Sequence, residues 1–309
     1  MNKSVLLILV LFLLSLSANS QVYNYEDGEG PVDPDSIQGL YIGLNLGYYF
    51  ANSNTASIYG GYGYDRDGFV ISDFSRAWLN QAIQRGDFQE GRTSFALDGI
   101  TSNEWEFTES DMPGLMQFTG SFLYGLHLRY MFNSDFGAIF EINGTNPVTV
   151  GEFTIRRLGV SSNDPGQNQP LERFQIRGEE QRLMINLGLH KVMGRKARES
   201  KGKSTALLPY FEAAGCITFA RFDANIINLG DAGTVNLMRE IDGFGNFQQE
   251  ANVLTGIGFG GLASVGGQLT IGSKFTINVG YAANLQQINL GEFGDIGFQH
   301  QIVLKAIYM

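Results

Sequence analysis

The sequence predicts an all-β protein: an antiparallel up-and-down transmembrane β-barrel of about eight strands, with a short helix in the first long loop. Apolar residues alternate with polar or small ones over long segments, which places the two kinds on opposite faces of β-strands. Glycine and aromatic residues are abundant, with 40 Gly, 23 Phe and 13 Tyr in 309 residues. Only 17% of the residues are charged, whereas a soluble surface usually carries about 25–35%.

The alternation is clearest between Thr255 and Leu285, where two apolar-polar segments flank the short turn Gly272–Lys274. This pattern predicts a long β-hairpin. Similar segments predict the other strands at Gly39–Phe50, Gln117–Phe132, Phe136–Ile155 with an interruption at Pro147, Phe174–Met193, Leu207–Phe222 and Phe298–Met309. Each has around ten residues or more, which is the length that a tilted strand needs to cross a bilayer.

Residues 1–20 are typical of a secretory signal peptide. Lys3 precedes the apolar run Val5–Leu16, and the small residues Ala18–Ser20 follow, which predicts cleavage near Ser20. The alternative is an uncleaved anchor, but a spanning helix needs about 20 apolar residues. The acidic segment 21–38 is predicted to be flexible, and the barrel is predicted to occupy residues 39–309.

The segment 51–115 is predicted to be a long extracellular loop. Within it, Ser72–Gly86 has the pattern of a short helix. Phe74, Trp78 and Trp105 are candidate interaction residues because long loops with their own secondary structure are often functional. The alternative is that this loop packs on itself.

The polar strand faces carry charged side chains whose opposite signs predict pairing inside the barrel. The candidate lumen network comprises His127, Arg129, Glu141, Glu212 and Lys305. An eight-stranded barrel is narrow enough for side chains to fill its interior, and burying an unpaired charge is costly. A plug of ion pairs is therefore expected, with a selectivity ring of a pore as the alternative.

A basic cluster lies in the connection between the fourth and fifth predicted strands: Arg195, Lys196, Arg198, Lys201 and Lys203. It is interpreted as a solvated turn, or as a contact for anionic headgroups or a periplasmic protein if it faces the periplasm. With the opposite topology it would face lipid A phosphates.

Other chemistry is not supported by the sequence. The glycines of Gly256–Gly261 match a dinucleotide-binding pattern, but they lie within a predicted strand and no helix follows. The histidines His127, His190 and His300 are on different strands, with no spacing that indicates a metal site or a hydrolase triad. Cys216 is the single cysteine, so no disulfide forms within the chain. No cofactor and no metal are predicted.

The hairpin rhythm and the closing residues Ile307-Tyr308-Met309 resemble the eight-stranded outer-membrane barrels of Gram-negative bacteria, the OmpX/OmpW/PorT-like group. The resemblance implies a Gram-negative outer-membrane location, with short turns in the periplasm and long loops outside.

The expected function is a non-enzymatic structural or interaction component of an envelope assembly, with outer-membrane lipid and another envelope protein as partners. A small passive pore and an outer-membrane lipid hydrolase are the alternatives. The net charge of −10 argues against a nucleic-acid partner.

Overall fold

The computed structural model of the protein describes residues 38–65, 68–85, 105–133, 135–157, 171–193, 207–229, 234–240, 253–271, 275–292 and 294–308. The predicted signal peptide, the acidic segment as far as residue 37 and the basic cluster lie outside these ranges. Within them, no helix is both long and apolar enough to span a membrane.

Twelve β-strands lie in the described residues, and they are numbered in chain order. Their bounds are β1 Gly39–Phe50, β2 Trp105–Glu106, β3 Gln117–Thr119, β4 Ser121–Met131, β5 Phe136–Thr145, β6 Val148–Arg157, β7 Leu171–Val192, β8 Leu207–Asn228, β9 Thr234–Asn236, β10 Thr255–Ile271, β11 Phe275–Ile288 and β12 Ile296–Tyr308. Short helices lie at Ala56–Tyr59, Phe74–Arg76, Trp78–Arg85, Glu109–Asp111 and Leu237–Glu240.

Eight of these strands close into a ring of antiparallel pairs. The order around the ring is β1, β4, β5, β7, β8, β10, β11 and β12, and β12 pairs with β1 to close it. Strand β10 contains the glycines of the Gly256–Gly261 pattern, and β11 follows it rather than a helix. The predicted all-β barrel with about eight strands and a helix in the first long loop is therefore confirmed.

The strands differ greatly in length, and the sequence predicts part of this difference, since the predicted strand Phe174–Met193 is longer than Gly39–Phe50. Strands β7 and β8 have 22 residues each, about 70 Å when extended, whereas β1 has 12. Strands β5 and β6 follow each other along the same edge of β7, with an interruption at Pro147. Strand β5 pairs with the second half of β7, and β6 pairs with the first half of β7. Three segments therefore project beyond the barrel ring on the side of the long loops: β6, the first half of β7 and the end of β8.

Strands β7 and β8 extend further toward the long loops than the sequence predicts. Strand β8 continues to Asn228 rather than ending at Phe222, and β7 starts at Leu171 rather than at Phe174. The register between them shifts next to Glu179, which pairs with Ala224 while Glu180 pairs with Phe222. Asp223 is the extra residue of this β-bulge, and it interrupts the alternation on which the predicted strand end depended.

The end of the barrel that carries these extensions is called the long-loop end, and the opposite end is called the short-turn end. At the short-turn end, β4 joins β5 and β10 joins β11 through short connections, and β1 begins there. At the long-loop end, the connection between β11 and β12 is also short.

Candidate functional site

Side chains on the two faces of the barrel wall have opposite character. The outward positions carry exposed apolar side chains, including Leu44, Leu46, Phe122, Leu187, Phe259, Val279 and Leu304. The inward positions are buried and mostly polar, including Asn45, Asn143, Asn186, Thr218, Ser264, Asn278 and Gln301. A soluble barrel would have the reverse arrangement, so this wall is built for lipid outside and polar side chains inside.

A continuous chain of ion pairs and hydrogen bonds crosses the lumen near the short-turn end, and we call it the ion-pair layer. Lys305 Nζ, on β12, donates to Glu141 Oε1 at 2.6 Å and to Glu212 Oε2 at 2.5 Å. Glu141 Oε1 also lies 2.8 Å from His127 Nδ1, and Glu212 Oε1 lies 3.0 Å from His190 Nδ1. The layer therefore joins five strands, with one lysine neutralising part of the charge of two buried carboxylates.

Arg129 extends the ion-pair layer and determines the hydrogen-bonding pattern of His190. Its Nη1 lies 2.7 Å from His190 Nε2 and 3.0 Å from Gln268 Oε1. Because arginine only donates, Nε2 of His190 must accept, and Nδ1 must carry the proton that is donated to Glu212. His190 is thus a neutral imidazole between a cation and an anion. All five side chains of the predicted lumen network lie in this layer, and His190 is an addition to it.

Two apolar clusters lie in the lumen, one on either side of the ion-pair layer. Tyr41, Met131 and Ile307 pack together at the short-turn end, and we call this cluster the floor. Toward the long-loop end lies a second cluster, the septum, whose members are Tyr49, Leu123, Met184, Cys216 and Val303. Because β1 and β8 are on opposite sides of the ring and both contribute to the septum, this cluster extends across the lumen. Apolar layers of this kind exclude hydrated ions, whereas a selectivity ring needs an open path.

A second polar group, the mouth cluster, fills the lumen beyond the septum. Arg182 Nε donates to Glu180 Oε1 at 2.6 Å, and its Nη1 donates to Tyr49 Oη at 2.9 Å and to Gln299 Oε1 at 3.3 Å. Thr55, from the first long loop, donates to Glu180 Oε2 at 3.0 Å and accepts from Arg182 Nη2 at 3.2 Å. Both charged side chains are fully buried. The first long loop is therefore hydrogen-bonded into the mouth of the barrel.

Tyr59 anchors the same loop a few residues later. Its ring stacks on Phe222 at a centroid distance of 4.5 Å, and its hydroxyl donates to the Glu179 carbonyl at 3.2 Å. Burial raises the pKa of this phenol well above its usual 10.0, and the nearby Glu180 carboxylate adds to the effect. A Cβ atom on Gly178 would collide with the Tyr59 ring, so the glycine makes room for the loop.

The observations on the wall and the lumen together decide the class of the molecule. The chain has the fold of an eight-stranded outer-membrane β-barrel. No protein-family model matches the sequence, and no curated protein matches it.

Solved structures that resemble the barrel are outer-membrane or surface proteins of low sequence identity. Neisserial surface protein A is 9% identical, covering 87% of this chain and 96% of that chain, with a TM-score of 0.35. The outer membrane protein OprG from Pseudomonas aeruginosa is 10% identical, covering 89% and 94%, with a TM-score of 0.31. Ail, the attachment invasion locus protein of Yersinia pestis, is 10% identical, covering 87% and 97%, with a TM-score of 0.30. Because these TM-scores are low, the fold assignment depends on the strand pairing of the barrel itself.

The projecting strands and the first long loop form a folded cap over the barrel mouth. Its core is one hydrophobic cluster that includes Ile58, Tyr59, Tyr64, Trp78, Leu79, Ile83, Trp105, Phe107, Phe153, Ile155, Ile176, Phe222 and Leu237. Its members come from the loop, from β6, β7 and β8, from the end of β11 and the residues after it, and from the helix Leu237–Glu240. The cap therefore has its own interior, separate from the lumen clusters.

The interaction role expected for the loop tryptophans is not supported by their positions. Trp78 is 1% exposed and Trp105 is 8% exposed, and both belong to the cap core. Phe74 is half-buried against the same core. Their positions agree with the alternative, in which the loop packs on itself. Burying the two indole rings in the cap core stabilises the folded loop, because it removes a large apolar surface from water.

Asp111 joins the loop to β6 within the cap. Its Oδ2 accepts from the Thr108 backbone amide at 2.9 Å and from the Thr108 hydroxyl at 2.6 Å, and its Oδ1 accepts from the Thr154 hydroxyl at 2.9 Å. Burial alone would raise the pKa of this carboxyl, but these hydrogen bonds outweigh it and lower the pKa below the usual 3.8. The folded cap therefore stabilises the ionised form of the Asp111 carboxyl group.

We expect Asp111→Asn to destabilise the cap by about 1–3 kcal/mol at pH 7, because it weakens hydrogen bonds to a charged acceptor. A lowered folded-state pKa contributes stability above the unfolded pKa and loses it as the pH falls through the folded value. The difference between the variant and the parent should therefore persist from pH 7 to about pH 5 and shrink below pH 3.8. Protease cleavage of the cap, followed from pH 7 to pH 3, measures this. Glu109→Gln, at an exposed neighbour, should show no such convergence.

His127 and His190 are not paired with a nucleophile within the described residues. His190 Nε2 faces Arg129 and no hydroxyl or thiol, and His127 Nε2 has no protein partner in the part of the chain that the structure describes. Both are fully buried in the lumen. Likewise, no group of three or more His, Cys, Asp or Glu side chains in the described ranges is arranged to hold a metal.

Proposed function

We propose that this chain is a non-enzymatic, non-conducting barrel of the Gram-negative outer membrane, which acts in an envelope assembly by presenting its cap to another envelope protein. The observation that carries the proposal is the closure of the lumen by the first long loop through Thr55 and Tyr59. If the lumen is closed, a partner can bind only to the outer surfaces of the barrel. Among the described residues, the cap is the largest folded element outside the barrel wall.

The cap surface offers polar and apolar groups that the core does not use. Leu115 is 83% exposed and Phe69 is 54% exposed. On the outer face of β6 and β7, Arg173 and Glu152 are both largely exposed and lie 3.9 Å apart. Such an exposed ion pair contributes little to stability, so these side chains are available to a partner at low cost.

The partner is tested by site-specific photo-crosslinking in living cells. A photoreactive amino acid at Leu115, Ser75 or Arg173 should capture one envelope protein in near-stoichiometric amount. The same amino acid at Tyr124, which is 52% exposed on the lipid-facing wall, is the matched control and should capture lipid only. Absence of a protein adduct at all three cap positions would contradict the proposed role.

The passive-pore alternative makes the opposite prediction for conductance. We expect the purified barrel to be silent in planar lipid bilayers, because the floor, the septum and the mouth cluster place buried side chains at three heights of the lumen. Discrete conductance steps in the unmodified protein would overturn this part of the proposal. Arg182→Gln combined with Glu180→Gln removes the hydrogen bond from Arg182 to the Tyr49 hydroxyl. It leaves the floor and the apolar packing of the septum in place, so this double variant should stay silent as well.

A further inference from the structure

The apolar outer belt contains one ionisable residue, His300, whose exposure to lipid is energetically costly. His300 faces outward on β12 between Phe298 and Ile302, which are 54% and 52% exposed. Among the described side chains that face outward within the belt, it is the one histidine or charged residue. Lys191 lies at the short-turn edge of the belt, and Arg221 lies at its long-loop edge. Ionisable side chains on a lipid-facing surface are costly and mark functional positions.

His300 has a single polar partner on this surface. Its Nδ1 lies 3.1 Å from the hydroxyl of Tyr281 on β11, and the two rings lie nearly parallel at a centroid distance of 6.2 Å. Phe298 contacts the imidazole edge-on at 5.3 Å. The aromatic neighbours fix the imidazole in position, and the tyrosine occupies only one of its two ring nitrogens.

The height of His300 on the wall corresponds to the boundary between lipid chains and headgroups. It is eight positions from Tyr308, which lies at the short-turn end. At about 3.3 Å per residue and a strand tilt of about 40°, this separation is roughly 20 Å along the membrane normal. The apolar band of such barrels is about 25 Å tall. The imidazole therefore lies just inside the long-loop edge of the belt, within reach of headgroup phosphates.

We propose that His300 and Tyr281 form a binding site for the phosphate of a membrane lipid in the leaflet at the long-loop end. When the Tyr281 hydroxyl donates to Nδ1, the imidazole proton lies on Nε2 and is donated to a phosphate oxygen. Phe298 and Tyr48, both exposed on neighbouring positions of the wall, contact the acyl chains of the same lipid.

This site is distinct from the cap and from the lumen. It requires only that the outer face of β11 and β12 contacts lipid, and it requires no protein partner. The cap could fail to capture a protein while this lipid site holds, and the reverse is equally true, so the two sets of experiments are independent.

The test is lipid retention by native mass spectrometry of the full chain in a maltoside detergent, which contains no phosphate. The protein is offered phosphatidylglycerol, a diphosphorylated lipid A, or diacylglycerol, which lacks phosphate. We expect the parent protein to retain the phosphate-bearing lipids about tenfold better than diacylglycerol, the size of one hydrogen bond to a charged group. The two phosphate lipids distinguish a phospholipid from a lipid A ligand by their relative retention.

His300→Leu and Tyr281→Phe should each reduce that preference to near unity. Tyr124→Phe removes the same hydroxyl from an exposed tyrosine elsewhere on the wall and should leave the preference unchanged. Heat-modifiable migration in gels verifies that each variant is folded. Equal retention of diacylglycerol by the parent protein, or an unchanged preference in folded His300→Leu, would overturn the proposal.

Discussion

Replacing Lys305 with methionine is expected to lower the free energy of unfolding of the barrel by about 3–5 kcal/mol, the cost of removing one partner from a buried ion pair. The Lys305 ammonium lies 2.6 Å from a Glu141 oxygen and 2.5 Å from a Glu212 oxygen, and all three side chains are almost completely buried. Methionine leaves two carboxylates in the lumen without their cation. Urea titration in phospholipid vesicles, followed by the β-strand signal in circular dichroism, measures the loss.

Two further variants separate charge from packing in this experiment. Lys191→Met removes an outward-facing, exposed lysine at the short-turn end and should change the unfolding free energy by no more than about 0.5 kcal/mol. The triple variant Lys305→Met, Glu141→Gln, Glu212→Gln removes the uncompensated charges and should recover much of the loss. A Lys305→Met barrel as stable as Lys191→Met would show that the ion-pair layer contributes nothing to stability.

Replacing Trp78 with alanine is expected to cost the cap about 3–5 kcal/mol, the usual penalty for truncating a buried tryptophan. The indole is 1% exposed and packs at 4.7 Å from the Tyr64 ring and 6.3 Å from the Phe222 ring. Gly63, with a φ of +75°, approaches so closely that a Cβ atom would collide with the indole. Hydrogen exchange should accelerate at the amides of Ala56–Tyr59, while the amides of β11 and β12 remain protected.

The control for this prediction is Phe69→Ala, which truncates another aromatic side chain of the same loop. Phe69 is 54% exposed, so its truncation should leave hydrogen exchange in the cap nearly unchanged. If Trp78→Ala has no more effect than Phe69→Ala, the loop does not owe its order to the cap core. If the barrel strands lose protection together with the cap, the two parts unfold as one unit.

The sequence predicted the barrel wall and the ion-pair layer because both follow from strict alternation. Once Leu304 faces lipid, Lys305 must face the lumen, and the same logic places His127, Arg129, Glu141 and Glu212. Their convergence follows from the small diameter of an eight-stranded barrel. Alternation does not predict which residues of opposite strands lie at the same height in the lumen. This depends on the stagger between neighbouring strands, added up around the whole ring.

The mouth cluster and the cap were missed for a different reason. Arg182 and Glu180 lie within the predicted strand Phe174–Met193, but Thr55, which binds both of them, is more than 120 positions away, and no local pattern reports that contact. Asp223 breaks the alternation of β8, so the end of that strand beyond Phe222 was assigned to a loop. The burial of Trp78 depends on contacts with Phe222, more than 140 positions away, and no local pattern reports such a contact. His300 had a visible signal, a polar residue in an apolar face, that a check of each outward position would have found.

The pairing of Lys305 with two distant carboxylates also has a consequence for the order of assembly. Glu141 precedes Lys305 by 164 positions and Glu212 precedes it by 93, so the strands that carry both acids are synthesised long before the strand that carries the base. Until β12 arrives and joins β1, the partly formed wall holds two acidic groups that water or an assembly factor must solvate. The last strand thus completes the hydrogen-bonded ring and the electroneutrality of the interior in the same step, and we expect an intermediate without it to stay at an aqueous surface instead of entering the bilayer.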